Sequence, residues 1–171
     1  MSFACGPHDW RNKLSLALSF SRTPVITRRL IKSTDDLALD TTYYLRLKKW
    51  VGPFVRMGLR TSLLANWSVQ ADPVTFRKKL VDGSTVDVTA AILDLSSAFQ
   101  PLTLKQSIGA FFRPYRKKSL EIELRVGFGA HEVFADKALA VDDDSSTPEI
   151  EVTELHSYNQ LGAEFGLYIH G

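Results

Sequence analysis

The chain has 171 residues, 44% of them hydrophobic and 23% charged, with a formal net charge of +2. That length holds one domain, and no run approaches the roughly eighteen consecutive apolar residues of a membrane-crossing helix. The charge is too small and dispersed to mark a nucleic-acid binder, with only Arg28, Arg29 and Lys32 forming a basic cluster.

Residues 1–10 read as an N-terminal tail. They lack the basic segment, apolar run and small-residue cleavage site of a secretory leader, so the expectation is either a protein that stays inside the cell or a beginning that lies outside this chain. Cys5 is the single cysteine; it has no partner for an internal disulfide, and no apolar run precedes it as in a lipid-attachment signal.

Period-two alternation then begins. Leu14, Leu16, Leu18 and Phe20 alternate with Ser15, Ala17 and Ser19, which predicts a strand. Leu37, Leu39, Thr41, Tyr43, Leu45 and Leu47 oppose Ala38, Asp40, Thr42, Tyr44 and Arg46. After a short link holding Lys48, Lys49, Gly52 and Pro53, the face Val55, Met57, Leu59, Thr61 and Leu63 opposes Arg56, Gly58, Arg60 and Ser62. These two runs predict a hairpin. Residues 67–100, with Asp72-Pro73 and Asp82-Gly83 as turn signals, read as a long loop holding a short helix or hairpin of its own.

A second hairpin follows. Leu102, Leu104, Gln106, Ile108, Ala110 and Phe112 oppose Thr103, Lys105, Ser107, Gly109 and Arg113, and the turn is placed at Pro114–Lys118. The next run has the clearest alternation: Leu120, Ile122, Leu124, Val126, Phe128 and Ala130 against Glu121, Glu123, Arg125, Gly127, Gly129 and His131. No helix uses that spacing. Residues 135–149 read as a second long loop. A final strand sets Leu161, Ala163, Phe165, Leu167 and Ile169 against Gly162, Glu164, Gly166, Tyr168 and His170, with Ile150 and Val152 as a possible earlier extension of it.

Three features favour a membrane barrel over a soluble sandwich. Links after the second and fourth strands are short and the others long, the alternation of periplasmic turns and external loops. Several runs keep their alternation for about ten residues, the length that crosses a bilayer at a tilt, against about five or six in soluble strands. The polar faces combine charges with glycines, which suits a narrow lumen and would only weaken strands on a solvated face. Trp10, Trp50, Phe54 and Tyr115 near one set of strand ends, and Trp67, Phe99, Phe134 and Tyr158 near the other, are placed as aromatic girdles.

The segment Lys32-Ser33-Thr34-Asp35-Asp36-Leu37-Ala38-Leu39-Asp40, with the strand that follows it, and Pro101-Leu102-Thr103-Leu104 leading into Ser107-Ile108-Gly109, resemble an uncharacterised family of outer-membrane β-barrel proteins of Gram-negative bacteria, grouped as a domain of unknown function. The resemblance implies a barrel in the bacterial outer membrane and carries no catalytic residues over.

Catalytic and metal chemistry has little foothold. Asp142, Asp143 and Asp144, with Asp136 and Glu149, lack the spacing of a calcium loop and read as a solvated loop. His131 beside Glu132 and His156 near Glu154 lack partners at diagnostic spacing. Glu121 and Glu123, about 7 Å apart on one strand face, invite glycosidase chemistry, but neighbouring Arg113 and Arg125 make paired lumen charges the simpler reading. No enzyme activity, metal or cofactor is expected.

The expectation is therefore an all-β single domain over residues 1–171, an antiparallel up-and-down β-barrel (a meander) of about six to eight strands. Its lumen-facing residues are Asp40, Arg46, Arg56, Arg60, Lys105, Arg113, Glu121, Glu123, Arg125 and Glu164. The lipid bilayer is its partner and the bacterial outer membrane its location, with a structural, adhesive or small-pore role. Six explicit strands fall short of the smallest barrels, so the wall is expected to be truncated, to hide strands within 67–100 and 136–158, or to be shared in a homo-oligomer. The alternative is a soluble β-barrel or sandwich binding a small apolar ligand, its apolar face inside.

Overall fold

The structure, a computed structural model, describes residues 1–22, 31–117, 120–144 and 146–170. Arg28 and Arg29 of the basic cluster lie outside the described residues. Eleven strands and no helix are present among the described residues: β1 (Ser2–Cys5), β2 (His8–Ser21), β3 (Ile31–Leu45), β4 (Val51–Thr61), β5 (Asn66–Lys79), β6 (Thr85–Ser96), β7 (Leu102–Lys117), β8 (Leu120–Phe134), β9 (Leu139–Val141), β10 (Ile150–Glu154) and β11 (Tyr158–His170).

They form two sheets. The larger, ordered β1-β2-β3-β4-β7-β8-β11, is antiparallel throughout and makes a curved wall. The smaller is ordered β6-β5-β10-β9, with β5 and β10 parallel. All the alternating runs become wall strands of 11 to 16 residues, apart from the short β1.

Three expectations change. The sheets do not close into a barrel, and the strands number eleven rather than six to eight. The tail at 1–10 is the β1–β2 hairpin, in which Cys5 pairs with His8 and Ser2 with Arg11. The long loops at 67–100 and 135–149 supply β5, β6 and β9 and join β10 to build the second sheet.

That second sheet is what periodicity hid. β5 runs straight through Asp72-Pro73, absorbing it in a register shift between Val69 and Val74, where the sequence signals a turn. The other turn signal is real: Gly83 has φ 83°, its N–H donates to Leu80 O, and Ser84 N donates to the Asp82 carboxylate. Phe76, Leu93, Leu95 and Val152 form a buried core against Val74, Leu139 and Ile150, each large side chain contributing about 1.5–3 kcal/mol on full burial.

β7 likewise continues past Pro114, the proline sitting in an irregularity between Phe112 and Tyr115 rather than opening the turn. The short links lie at one end of the wall and the second sheet arises from links at the other, so the short–long alternation of connections corresponds to two different ends.

Cross-strand register aligns the inward residues in rows. One reads Asp9–Tyr44–Phe54–Gly109–Gly127–Glu164 from β2 to β11, and the next Arg11–Thr42–Arg56–Ser107–Gly129–Gly162. Large aromatics on β3 and β4 thus share a row with directly paired glycines on β7 and β8. At Gly109 a Cβ would lie 2.6 Å from Gly127 Cα and meet the Val126 carbonyl, so the two strands approach there as only glycine permits. Gly109→Ala should destabilise the protein by about 2–3 kcal/mol, whereas Gly162→Ala, which meets nothing within 4 Å, should stay within about 0.5 kcal/mol of the wild type. Urea midpoints followed by tryptophan fluorescence check both.

Candidate functional site

The concave face of the wall carries the chain's polar chemistry. At its centre is Glu123 on β8, with no solvent exposure. Tyr44 Oη on β3 donates to its Oε1 at 2.9 Å, Arg113 Nε on β7 to its Oε2 at 2.7 Å, and Arg125 Nε to Oε1 at 2.5 Å. In sheet order β3 and β8 are separated by β4 and β7, so the Tyr44–Glu123 bond spans the concavity rather than joining neighbours.

Aromatic rings complete the cluster. The Arg113 guanidinium carbon lies 4.9 Å from the Tyr44 ring centroid and 4.6 Å from that of Phe111, and Arg125 lies 4.0 Å from Tyr168. Arg11 stacks on Tyr44 at 5.0 Å and binds Asp9 at 3.2 Å. Tyr44, Phe54 and Phe111 form the wall's own buried cluster, with Tyr44 and Phe111 edge to face at 5.0 Å. Formal charge balances: Arg11, Arg113 and Arg125 face Asp9, Glu121 and Glu123, with Arg113–Glu121 at 3.3 Å and Arg113–Asp9 at 3.9 Å. Buried charge is tolerated here because each ion faces an opposite charge and Glu123 accepts three hydrogen bonds. The result is a plug across the concavity near the short-turn end.

Beyond the plug the concavity opens. A cavity of about 600 Å³ is bordered by Arg56, Lys105, Ser107, His131, Gln160 and Glu164, with Gly129 and Gly162 leaving its floor bare. Arg56 joins opposite sides of it, binding Asp40 at 2.8 Å and Glu164 on β11 at 3.6 Å. Lys105 is exposed and directly opposite His131 in register; the His131 ring meets Tyr158 edge-on at 5.6 Å.

Most of the charges read from the sequence meet here: Asp40, Arg56 and Glu164 at the cavity, Arg113, Glu121, Glu123 and Arg125 in the plug. Two do not join them. Arg60 binds Asp36 at 2.6 Å at the rim with its side chain 69% exposed. Arg46 lies just past β3 and donates to Gly6 O at 2.8 Å, clasping the β1–β2 turn.

Asp9, Arg11, Tyr44 and Phe111 were not singled out, although period two extended back from Leu14 puts Asp9 and Arg11 on the polar face. Phe54, placed in a girdle, is instead buried in the plug. Trp10, Trp50, Trp67, Phe99, Phe134 and Tyr158 are exposed near the strand ends.

Glu123 offers no free carboxyl to a substrate, since three donors already saturate it. The acidic loop is organised as a turn: Asp144 N donates to Glu151 and its carboxylate accepts Ser146 N at 3.0 Å, which holds that carboxyl below the usual range. No group of three His, Cys, Asp or Glu side chains is placed to hold a metal among the described residues.

Glu123→Gln should cost about 3–5 kcal/mol, because it leaves two buried guanidiniums short of a counter-charge, while Arg60→Ala should change stability by no more than about 0.5 kcal/mol. Equilibrium unfolding of both variants checks the contrast. No family model, curated protein or solved structure matches the chain.

Proposed function

We propose that this chain is the wall of a narrow outer-membrane β-barrel, with its apolar face toward lipid, its lumen plugged, and its second sheet presented beyond the membrane. The observation that carries this reading is the burial of the wall. Leu14, Ile108, Phe128, Leu161 and Phe165 are 70%, 61%, 75%, 83% and 76% exposed. Their strand neighbours on the opposite face include Arg113, Glu123 and Arg125, which are buried. A soluble protein places the two kinds of residue the other way round, and a continuous apolar face of this extent belongs against lipid or a partner.

Strand length supports the same reading, since each long wall strand, at 11 to 16 residues, reaches the roughly nine to eleven residues needed to cross a bilayer at a tilt. The soluble ligand-binding alternative requires the apolar face as its interior, and that face is the outside of this wall.

Within the barrel reading, the plug separates the possible roles. Tyr44, Phe54, Phe111 and the three arginines fill the concavity, so through-flow is disfavoured against a structural or adhesive role. The second sheet has its own core and arises from two separate connections tied by the β5–β10 pairing. It gives the barrel a folded outer surface in place of loose loops, the part best placed to meet a partner.

Reconstituted into phosphatidylcholine vesicles, the chain should float with the lipid and migrate differently on a detergent gel with and without heating. Ile108→Arg, at mid-wall on the outer face, should cost about 2–4 kcal/mol in that setting. Recovery as a stable monomer in detergent-free buffer would contradict the proposal.

A further inference from the structure

The cavity of about 600 Å³ above the plug has a bare floor and two chemically unlike ends. Gly129 on β8 and Gly162 on β11 pair directly. A Cβ at Gly162 would meet nothing within 4 Å, so the floor is open backbone with room for a ring above it. The volume falls within the roughly 300–1,000 Å³ of small-molecule sites.

One end gathers hydrogen-bond donors. Lys105 on β7, His131 on β8 and Gln160 on β11 stand in one cross-strand row, where neighbouring Cβ atoms are about 5 Å apart. Ser107 lies in the next row, opposite Gly129, and is only 7% exposed. Among the described residues, none of these four side chains is hydrogen-bonded or ion-paired to a protein group; the His131 ring touches only that of Tyr158. An ammonium, an imidazole N–H, an amide and a hydroxyl are thus all unspent on one side of the cavity.

The other end is rich in acceptors. Asp40 and Glu164 flank Arg56 at 2.8 and 3.6 Å. Glu164 Oε2 lies 3.5 Å from where a Cβ on Gly129 would stand, so its carboxylate overhangs the floor. Arg56 already supplies the cation between the two carboxylates. What this end lacks is hydroxyl donors rather than an ammonium group or a metal ion.

We infer that the cavity binds a small hydroxylated oxyanion, a sugar-sized acid carrying a phosphate or carboxylate group. The oxyanion sits against Lys105 and the His131 ring N–H, with Ser107 and Gln160 donating beside it. Bonds of this charge-assisted kind are about twice as strong as neutral ones. The ligand's hydroxyls donate to Glu164, and its ring lies on the Gly129–Gly162 floor. An apolar ligand would leave every one of these groups unpaired. The site belongs to the concave face alone and stands whether or not the apolar face meets lipid.

Isothermal titration of the full chain in detergent micelles with glucose-6-phosphate, glucuronate and glucose tests this. At least one of the two acids should bind saturably, with glucose weaker by about 10-fold or more. Lys105→Met alters an exposed side chain and should weaken binding of that acid by about 10-fold or more. Gly162→Leu fills the floor and should remove binding. Lys79→Met deletes an equal charge at the end of β5 and should leave the affinity within about twofold of the wild type.

Binding of one acid alone identifies the oxyanion as phosphate or as carboxylate. The inference is overturned if neither acid saturates at millimolar concentration or if glucose binds as tightly as the acids. It is equally overturned if Lys105→Met or Gly162→Leu keeps the wild-type affinity.

Discussion

A buried carboxylate holds this wall in its curve. Glu123 accepts from Tyr44, Arg113 and Arg125, and Arg113 continues toward Asp9 on β2, so one charge on β8 ties together strands from much of the sheet. Such a group in a site screened from water cannot be left partly satisfied without a large cost, which makes the curvature specific. The paired glycines Gly109 and Gly127 complement it by letting β7 and β8 approach opposite the rings of Tyr44 and Phe54. Charge and space are thus distributed across the same rows.

The wall also shows why alternation alone is an incomplete statement about a protein. A strand with one apolar and one polar face fits a soluble barrel and a membrane barrel equally well, because period two says nothing about which face is enclosed. Here the face that buries Arg113, Glu123 and Arg125 is the charged one. Among the described residues, the large buried hydrophobic side chains gather in the second sheet and in the three-ring cluster of the plug. Lipid supplies the missing apolar contact in the proposed setting.

How much of this was legible in the sequence depended on whether a feature was local. β8 and β11 were readable residue by residue, and their direct pairing, Gly129 with Gly162 and Arg125 with Gly166, follows the alternation. Charge partners such as Arg113 and Glu123 were legible as neighbours across one hairpin. The second sheet was not, because β5 and β10 pair in parallel across more than seventy residues of chain, and register shifts near Asn66 and between Val69 and Val74 break the period that would have announced β5. Pro114 misled for a similar reason: in isolation it ends a strand, but an irregularity in the pairing accommodates it. Tyr44 stood on the polar face as just another residue, and its bond to Glu123 depends on curvature that no single strand encodes.

The central claim is that the charged face is enclosed and the apolar face meets lipid. It is tested most directly by single-cysteine substitutions along β8 in reconstituted vesicles, each carrying a fluorophore exposed in turn to spin-labelled lipid and to an aqueous quencher. The account predicts that positions 122, 124, 126 and 128 are quenched by the lipid probe and that 121, 123, 125 and 127 are not. Uniform aqueous quenching without period two, or lipid quenching at the charged positions instead, would contradict it.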